Sequence, residues 1–412
     1  MNPNKGTSIL FYWQDAWLPQ SRFILDAFVS EQQISKFVAA GPATRENIPA
    51  IFTAGKNIEP GAEGGNGEER TRCYRSRDTI CTFGEWRRLI RRYRPDLVLV
   101  ADEALSVNVL LAGLANRLYG HGAVFFYGFE NIKQGIGWRT FWTKPTPKNL
   151  KRLVQKALRF LFLDKLMMTI RPALVHGGLV SYEECIRVIH AWNWRPPMQI
   201  KWWPVDIGTF KSSGPKAEFG LRTGFVVGFV GRFVAEKGIT SLLRAMAQLD
   251  ADYGLVLIGQ GPEKGAMERE ILALGLADRV RILPPQDAET LAKSYRAMNL
   301  LILPSIPSDT WKEQFGRVLA EARSCGTPVA GSDSGAIPTV VGDSRMVFPA
   351  GDSAAMAAVI RRARTSGPMR PETVTHPDAA GFVKAWLLLA EELRGAGYTT
   401  VCDNAQAPGG GR

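Results

Sequence analysis

Two cations and two carboxylates in the second half of the chain are spaced for phosphate and sugar chemistry. Residues 228–238 read GFVGRFVAEKG: an apolar run reaches Gly231, Arg232 and Lys237 follow, and Gly238 opens an apolar-periodic segment. Gly231 and Gly238 permit tight backbone turns. Two cations beside a helix N-terminus suit a pyrophosphate. Gly261, in GQGP, marks a second glycine turn after a strand-like run. On spacing alone, Arg232 and Lys237 read equally well as solvated flanks of a connection. Further on, Glu313 precedes a helix and Glu321 lies inside it. The first free N–H groups of that helix fall near Gly316, Arg317 and Val318, where they can donate to phosphate oxygens. Glu321 interrupts a small, apolar helix, and a buried carboxylate is costly unless it is paired. A vicinal diol such as ribose satisfies it with two hydroxyls; Arg317 or Arg323 on a wet face would do so too. Neither GxxxxGK[ST] nor GxGxxG with a following acidic residue is present, so a P-loop is excluded and a dinucleotide fingerprint is lacking.

The elements that must carry these residues alternate strand and helix. In the second half, strands are expected at 224–231, 253–261, 279–284, 299–305 and 327–333. Helices are expected at 238–249, around 315–325, at 353–364 and at 379–395. The first half begins with a strand at 7–13, a helix over 21–38, a strand at 95–100, a helix ending at Gly120, and strands at 122–128 and 173–178. Such alternation predicts α/β domains with parallel sheets, whose ligands gather at the carboxyl ends of the strands. The Gly-rich, charged stretch 55–80 reads as a surface loop.

The chain has 412 residues, 45% hydrophobic and 22% charged, which excludes global disorder and a disulfide-stapled miniprotein. Its net charge of +12 is compatible with anionic partners of several kinds. Through Phe210 there are 28 basic and 18 acidic residues, so most of the positive excess sits in the first half. The five cysteines form no CxxC pair, and no DxD or His/Asp/Glu cluster calls for a metal. No cofactor is expected. The N-terminus lacks the pattern of a signal peptide and no apolar run is long enough to span a bilayer, so a cytoplasmic location is expected.

Four blocks carry a family resemblance: FVGRFVAEKGI (229–239), LVLIGQGP (255–262), ADRVRILPP (277–285) and, above all, the Glu-x7-Glu stretch EQFGRVLAEARSCGTPVAGSDSG (313–335). In order and spacing they resemble the retaining glycosyltransferases of family four. The resemblance implies the GT-B fold, two Rossmann-like α/β/α domains facing across a cleft. It divides the chain into an acceptor-binding domain at 1–206, a nucleotide-sugar domain at 207–385, and a terminal helix and tail at 386–412 that packs back on the first domain. The run from Val205 and Asp206 to Phe210 looks like the interdomain junction. By resemblance, Arg232 and Lys237 match the cations on the donor diphosphate, Glu321 the carboxylate on the ribose, and Glu313 the one on the transferred sugar. Gly316, Arg317 and Val318 match the phosphate-facing helix start. Gly231 and Gly261 match donor-loop positions, and Arg281 and Leu283 fall in the region that touches the nucleobase. Transfer in this family retains anomeric configuration, usually by a front-face route in which a donor phosphate oxygen helps deprotonate the acceptor. Ser334, beside Gly335, stands where the family often has a glycine, and Thr339 where a Glu is common.

The first half departs further. The acceptor loop after the first strand holds Pro19, Gln20 and Ser21 where many relatives carry Gly-Gly. The stretch AVFFYGFEN lacks the family's usual His and offers Tyr127, Glu130 and Asn131 instead. Glu130 reads either as a group that orients or deprotonates the acceptor hydroxyl or as a simple cap. Residues 133–171 hold ten Lys or Arg and one Asp. Their apolar residues recur at helical spacing, which reads either as a basic amphipathic helix on an anionic membrane or as an ordinary surface helix. The expected activity is transfer of a hexosyl group from a nucleotide-diphosphate sugar to a saccharide or lipid-linked acceptor, in cell-surface polysaccharide or glycolipid synthesis. It would take place in the cytoplasm or peripherally at the inner membrane face. The competing readings are a sugar-nucleotide epimerase and an inactive nucleic-acid- or membrane-binding protein on the same fold; no specific nucleic acid is expected.

Overall fold

The structure, a computed structural model, describes residues 6–13, 22–42, 71–76, 82–104, 106–129, 169–308, 311–366 and 378–395. Elements are numbered over these residues. The chain divides into two units, Met1–Lys201 with Ala379–Arg412, and Trp202–Asp378.

The first unit holds β1 (Thr7–Trp13), α1 (Arg22–Ser30), β2 (Ile34–Pro42), β3 (Thr71–Ser76), α2 (Phe83–Tyr93), β4 (Leu97–Ala101), α3 (Val107–Tyr119), β5 (Ala123–Gly128), β6 (Gly177–Val180), α4 (Glu183–His190) and β7 (Met198–Ile200). The strands form one parallel sheet in the order β3-β2-β1-β4-β5-β6-β7. The described residues of β1, β4 and β5 are almost wholly buried, which is why they read as unbroken apolar runs rather than alternations. The helix expected over 21–38 ends at Ser30: the Ile34 N–H closes a turn on the Glu31 carbonyl, and β2 follows. The buried run of Phe37, Val38, Ala39 and Ala40 is what a strand next to β1 requires. Within the stretch read as a loop at 55–80, residues 71–76 are the edge strand β3. Helix α2 opens on a capping box, Thr82 with Glu85.

The terminal helix α11 (Ala379–Gly395; α5 to α10 lie in the second unit below) groups with the first unit from its first residue, seven positions before the expected boundary at 386. Trp386 and Phe382 anchor it. Phe382 meets the Tyr127 ring edge-on at 5.4 Å, and Trp386 lies 6.3 Å from the Phe125 ring. A continuous helix with both anchors on one face moves as one piece, so a boundary inside it is not physical.

The second unit holds β8 (Phe225–Val230), α5 (Ile239–Ala247), β9 (Tyr253–Ile258), α6 (Lys264–Ala273), β10 (Val280–Leu283), α7 (Ala288–Ala297), β11 (Leu300–Leu303), α8 (Arg317–Ser324), β12 (Val329–Ser332), α9 (Ile337–Val341), β13 (Val347–Phe348) and α10 (Ser353–Ser366). Its parallel sheet runs β10-β9-β8-β11-β12-β13. The chain winds outward from β8 through β9 to β10, then returns to the other side of β8 at β11. The β8/β11 border is therefore the place where strand order reverses, and ligands of doubly wound sheets bind outside the carboxyl ends there. The division between units falls after Lys201, five residues before the expected one. Val205 and Phe210 are buried in the second unit's core. Among the described residues, no helix is long and apolar enough to cross a membrane.

Candidate active site

The turn after β8 is fixed by backbone contacts that leave little room for a side chain. The Gly231 N–H donates to the Ile258 carbonyl and the Phe233 N–H to that of Gln260, so this turn lies flat against the one after β9. A Cβ on Gly261 would sit 2.2 Å from the Phe233 carbonyl oxygen, so only glycine allows that approach. A short 3₁₀ turn, Ala235–Lys237, follows, closed by Gly238 at φ 67°. A Cβ on Gly238 would lie 2.1 Å from the Pro304 carbonyl oxygen, and the Ile306 N–H donates to the Glu236 carbonyl. The turn after β8 is thereby locked to the end of β11, on the two sides of the reversal point.

That lock delivers Lys237 to Glu313. The ammonium Nζ lies 2.6 Å from Glu313 Oε2, with the two side chains 15% and 11% exposed, and 5.1 Å from the centroid of the Trp311 ring. Glu313 is held from several directions. The Ser305 hydroxyl donates to its Oε2 at 2.8 Å, and Ser332 donates in turn to the Ser305 carbonyl at 2.6 Å. The Ala336 N–H donates to the Glu313 carbonyl, and the Glu313 N–H donates to the buried Ser334 hydroxyl at a long 3.5 Å. Gly335, at φ 56°, has no room for a Cβ, which would come 2.0 Å from the Glu313 carbonyl oxygen. Ser305 thus anchors the carboxylate directly, with Ser332 behind it and Ser334 on the Glu313 backbone.

Gly316, at φ 76°, is the N-cap of α8. The Gly316, Arg317 and Val318 N–H groups occupy the first turn, which carries the positive end of the helix dipole. One turn on, Glu321 is buried at 8% exposure, and burial raises its carboxyl above the ordinary value. Two groups oppose that shift. Arg317 Nε lies 3.2 Å from Oε1, and the Tyr295 hydroxyl donates to Oε2 at 2.9 Å. The pairing with Arg317 left open by the sequence is thus present, between a buried carboxylate and an arginine side chain that is 54% exposed. Arg323 is engaged elsewhere, donating to the Val340 carbonyl. Tyr295 was not a sequence candidate. It lies on the buried stripe of α7 beside Ala292 and, with its ring 5.9 Å from Phe210, reads as core; only the need of a buried hydroxyl for a partner marks it.

The remaining candidates are placed as follows. Arg232 is exposed beside Gly231 and has no ion-pair partner among the described residues. Arg281 is tied back to the Val280 and Gly220 carbonyls, while the carbonyl of Leu283, at the end of β10, accepts from the Gly259 N–H. Tyr127 is corrected: it is fully buried in β5, its hydroxyl donates to the Lys201 carbonyl, and its ring packs on Phe382, so it is a core residue and not an acceptor contact. Pro19, Gln20, Ser21, Glu130 and Asn131 lie outside the described residues, as does nearly all of the basic segment 133–171. At the corresponding reversal of the first sheet, after β4, Asp102 accepts from the Glu103 N–H and from Asn108 on α3, and Glu103 accepts from the Phe129 N–H.

Both units have the doubly wound parallel architecture of the GT-B fold, and the second is homologous to a known group of sugar-transferring domains: residues 216–374 match the family described as Glycosyl transferases group 1. A D-inositol 3-phosphate glycosyltransferase of Mycobacteroides abscessus is 40% identical over 151 residues, 34% of this chain and 32% of the relative. The match thus spans about a third of that relative's length. Among solved structures, Anabaena HepE in complex with UDP and glucose is similar over 95% of this chain and 99% of its own, at 15% identity and a TM-score of 0.61. A UDP-N-acetylglucosamine 2-epimerase is similar over 99% of both chains, at 13% identity and a TM-score of 0.57. These two likenesses are of fold alone.

Proposed function

We propose that the chain is a retaining glycosyltransferase that moves a hexosyl group from a nucleotide-diphosphate sugar to a saccharide or lipid-linked acceptor. The observation that carries this reading is the meeting of Lys237 and Glu313 at the β8/β11 reversal, beside the open first turn of α8. Cleaving the sugar–phosphate bond puts negative charge on the diphosphate. Lys237 and the α8 N–H groups are fixed positive partners for it, with the exposed Arg232 in the same turn as Lys237, and preorganised partners of this kind lower the barrier where charge develops. Glu313, anchored by Ser305, contacts the transferred sugar. Glu313 neutralises Lys237, so an arriving diphosphate competes for the same ammonium. Glu321 takes the ribose hydroxyls from a carboxylate already oriented by Tyr295. A donor phosphate oxygen assists deprotonation of the acceptor on the same face, which retains configuration. The reaction takes place in the cytoplasm, in cell-surface polysaccharide or glycolipid synthesis. No metal is needed for the charge role assigned to the cations.

The 40% identity to a glycosyltransferase within the second unit favours transfer over epimerisation, which the fold permits equally. The test is a donor screen with a saccharide panel, read by nuclear magnetic resonance of the product. Transfer with the donor's anomeric configuration kept supports the proposal. Inversion contradicts the retaining route, and interconversion of sugar nucleotides without an acceptor supports the epimerase.

A further inference from the structure

Among the described residues, α2 of the first unit carries a cationic surface separate from the Lys237–Glu313 turn. Arg87, Arg88, Arg91, Arg92 and Arg94 fall within eight residues on α2 and its C-cap, and all five are exposed. Like charges at i,i+4, here Arg87 with Arg91 and Arg88 with Arg92, each destabilise a helix by about 0.2–0.5 kcal/mol. Surface arginines are normally interspersed with carboxylates that offset this. Here Arg87, Arg88, Arg91 and Arg94 have no ion-pair partner among the described residues. The two nearest carboxylates in sequence are committed elsewhere. Glu85 accepts from the Thr82 N–H and hydroxyl in the capping box, and Asp96 accepts from the Ser8 N–H and hydroxyl.

The patch is also organised. The guanidiniums of Arg87 and Arg91 lie over the Tyr119 ring, at 5.3 and 5.1 Å from its centroid, and Lys36 lies 5.1 Å over the Tyr93 ring. Stacking on Tyr119 gathers two arginines onto one side and links α2 to the end of α3. There Arg117 is exposed, and Leu118 is 57% exposed, an aliphatic side chain with no core to enter. The apolar face of α2, Trp86, Leu89 and Ile90, is buried in the unit, so the helix presents only its cationic face outward.

We infer that this α2/α3 face adsorbs to an anionic phospholipid surface, with the arginines at the headgroups and Leu118 and Tyr119 at the edge of the acyl region. The inference is independent of the donor site and of the basic segment 133–171. The arginines spread along the exposed face of a helix beside an exposed aliphatic residue, which suits a broad surface of many phosphates better than a single bound anion. Each basic residue near such a surface contributes about fivefold to partitioning, so neutralising three should lower it on the order of a hundredfold.

The test is sedimentation of the full chain with phosphatidylcholine vesicles, with and without phosphatidylglycerol. It compares the parent, Arg87→Gln/Arg88→Gln/Arg91→Gln, and a second variant with Lys151, Arg152, Lys156 and Arg159 changed to Gln. Unchanged circular dichroism and melting confirm folding, since the three arginines are exposed. The account expects salt-sensitive binding of the parent to the anionic vesicles only, and its loss in the α2 variant. It is overturned if the α2 variant binds like the parent, if the 151–159 variant alone loses binding, or if the parent ignores both vesicles and binds RNA instead.

Discussion

The two parallel sheets share a strand order, each with its first strand between the second and the fourth, so each has one reversal point. In the second unit that point carries Lys237, Glu313 and a glycine-lined helix start, locked together by backbone contacts too close for any side chain. In the first unit the described part of the same point carries Asp102 and Glu103, turned to neighbouring backbone and to Asn108. Topology supplies the place in both cases, but the charge that can dwell there differs in sign. An acidic turn repels a diphosphate; a turn with a lysine and open N–H groups receives one.

The largest break in that comparison should come from the first unit's core. Trp386→Ala leaves a cavity beside Phe125 and Tyr127 and should cost about 3–5 kcal/mol. Urea unfolding followed separately in the two units should show the loss in the first alone; an equal shift in both would mean that the terminal helix does not belong to one unit. Next, Lys237→Ala should lower kcat by about 10²–10³-fold, as expected for one electrostatic donor at a developing charge, and near-normal turnover would remove its role.

Glu321 gives a prediction with opposite effects on folding and binding. Burial raises its folded-state pKa above the ordinary 4.5, so the fold favours the protonated form. Its contribution to stability is therefore fully present below the unfolded value and is lost as pH rises through the raised folded value. At neutral pH Glu321→Gln, which carries no charge, should melt no lower than the parent, and should bind donor on the order of tenfold more weakly, as for one lost charged hydrogen bond. Parent donor affinity should itself fall as pH drops through the raised pKa, because the ionised carboxylate is the acceptor for the hydroxyls. Flat affinity across that range would contradict the assignment. The smallest effect belongs to the first unit: Asp102→Asn should leave donor affinity within about twofold of the parent, since its hydrogen bonds run to Glu103 and Asn108 within that unit.

How much of this was legible in the sequence follows the same division. In the second unit the chemistry is local: Gly231 to Gly238 and Glu313 to Glu321 each fit within one strand–turn–helix connection, so spacing alone exposes them. Tyr295 and Ser305 escaped because their roles are contacts across elements, and alone they look like core. In the first unit, the start of β2, Ile34 to Val38, falls inside the helix expected over 21–38 because a short apolar run suits either element. Tyr127 looked accessible because a strand end in sequence does not reveal that α11 covers it. Helix α2 carries the densest arginine cluster in the chain, yet its spacing matches no site motif, and only the stacking of Arg87 and Arg91 on Tyr119 gives it meaning.

The most direct test of the central claim is calorimetric titration of the parent and Glu321→Ala with a ribose nucleoside diphosphate and its 2′-deoxy analogue. The account predicts that the parent binds the ribose form more tightly and that Glu321→Ala loses both affinity and the distinction between the two. Equal binding of both forms by the parent, or no binding of either, would contradict it.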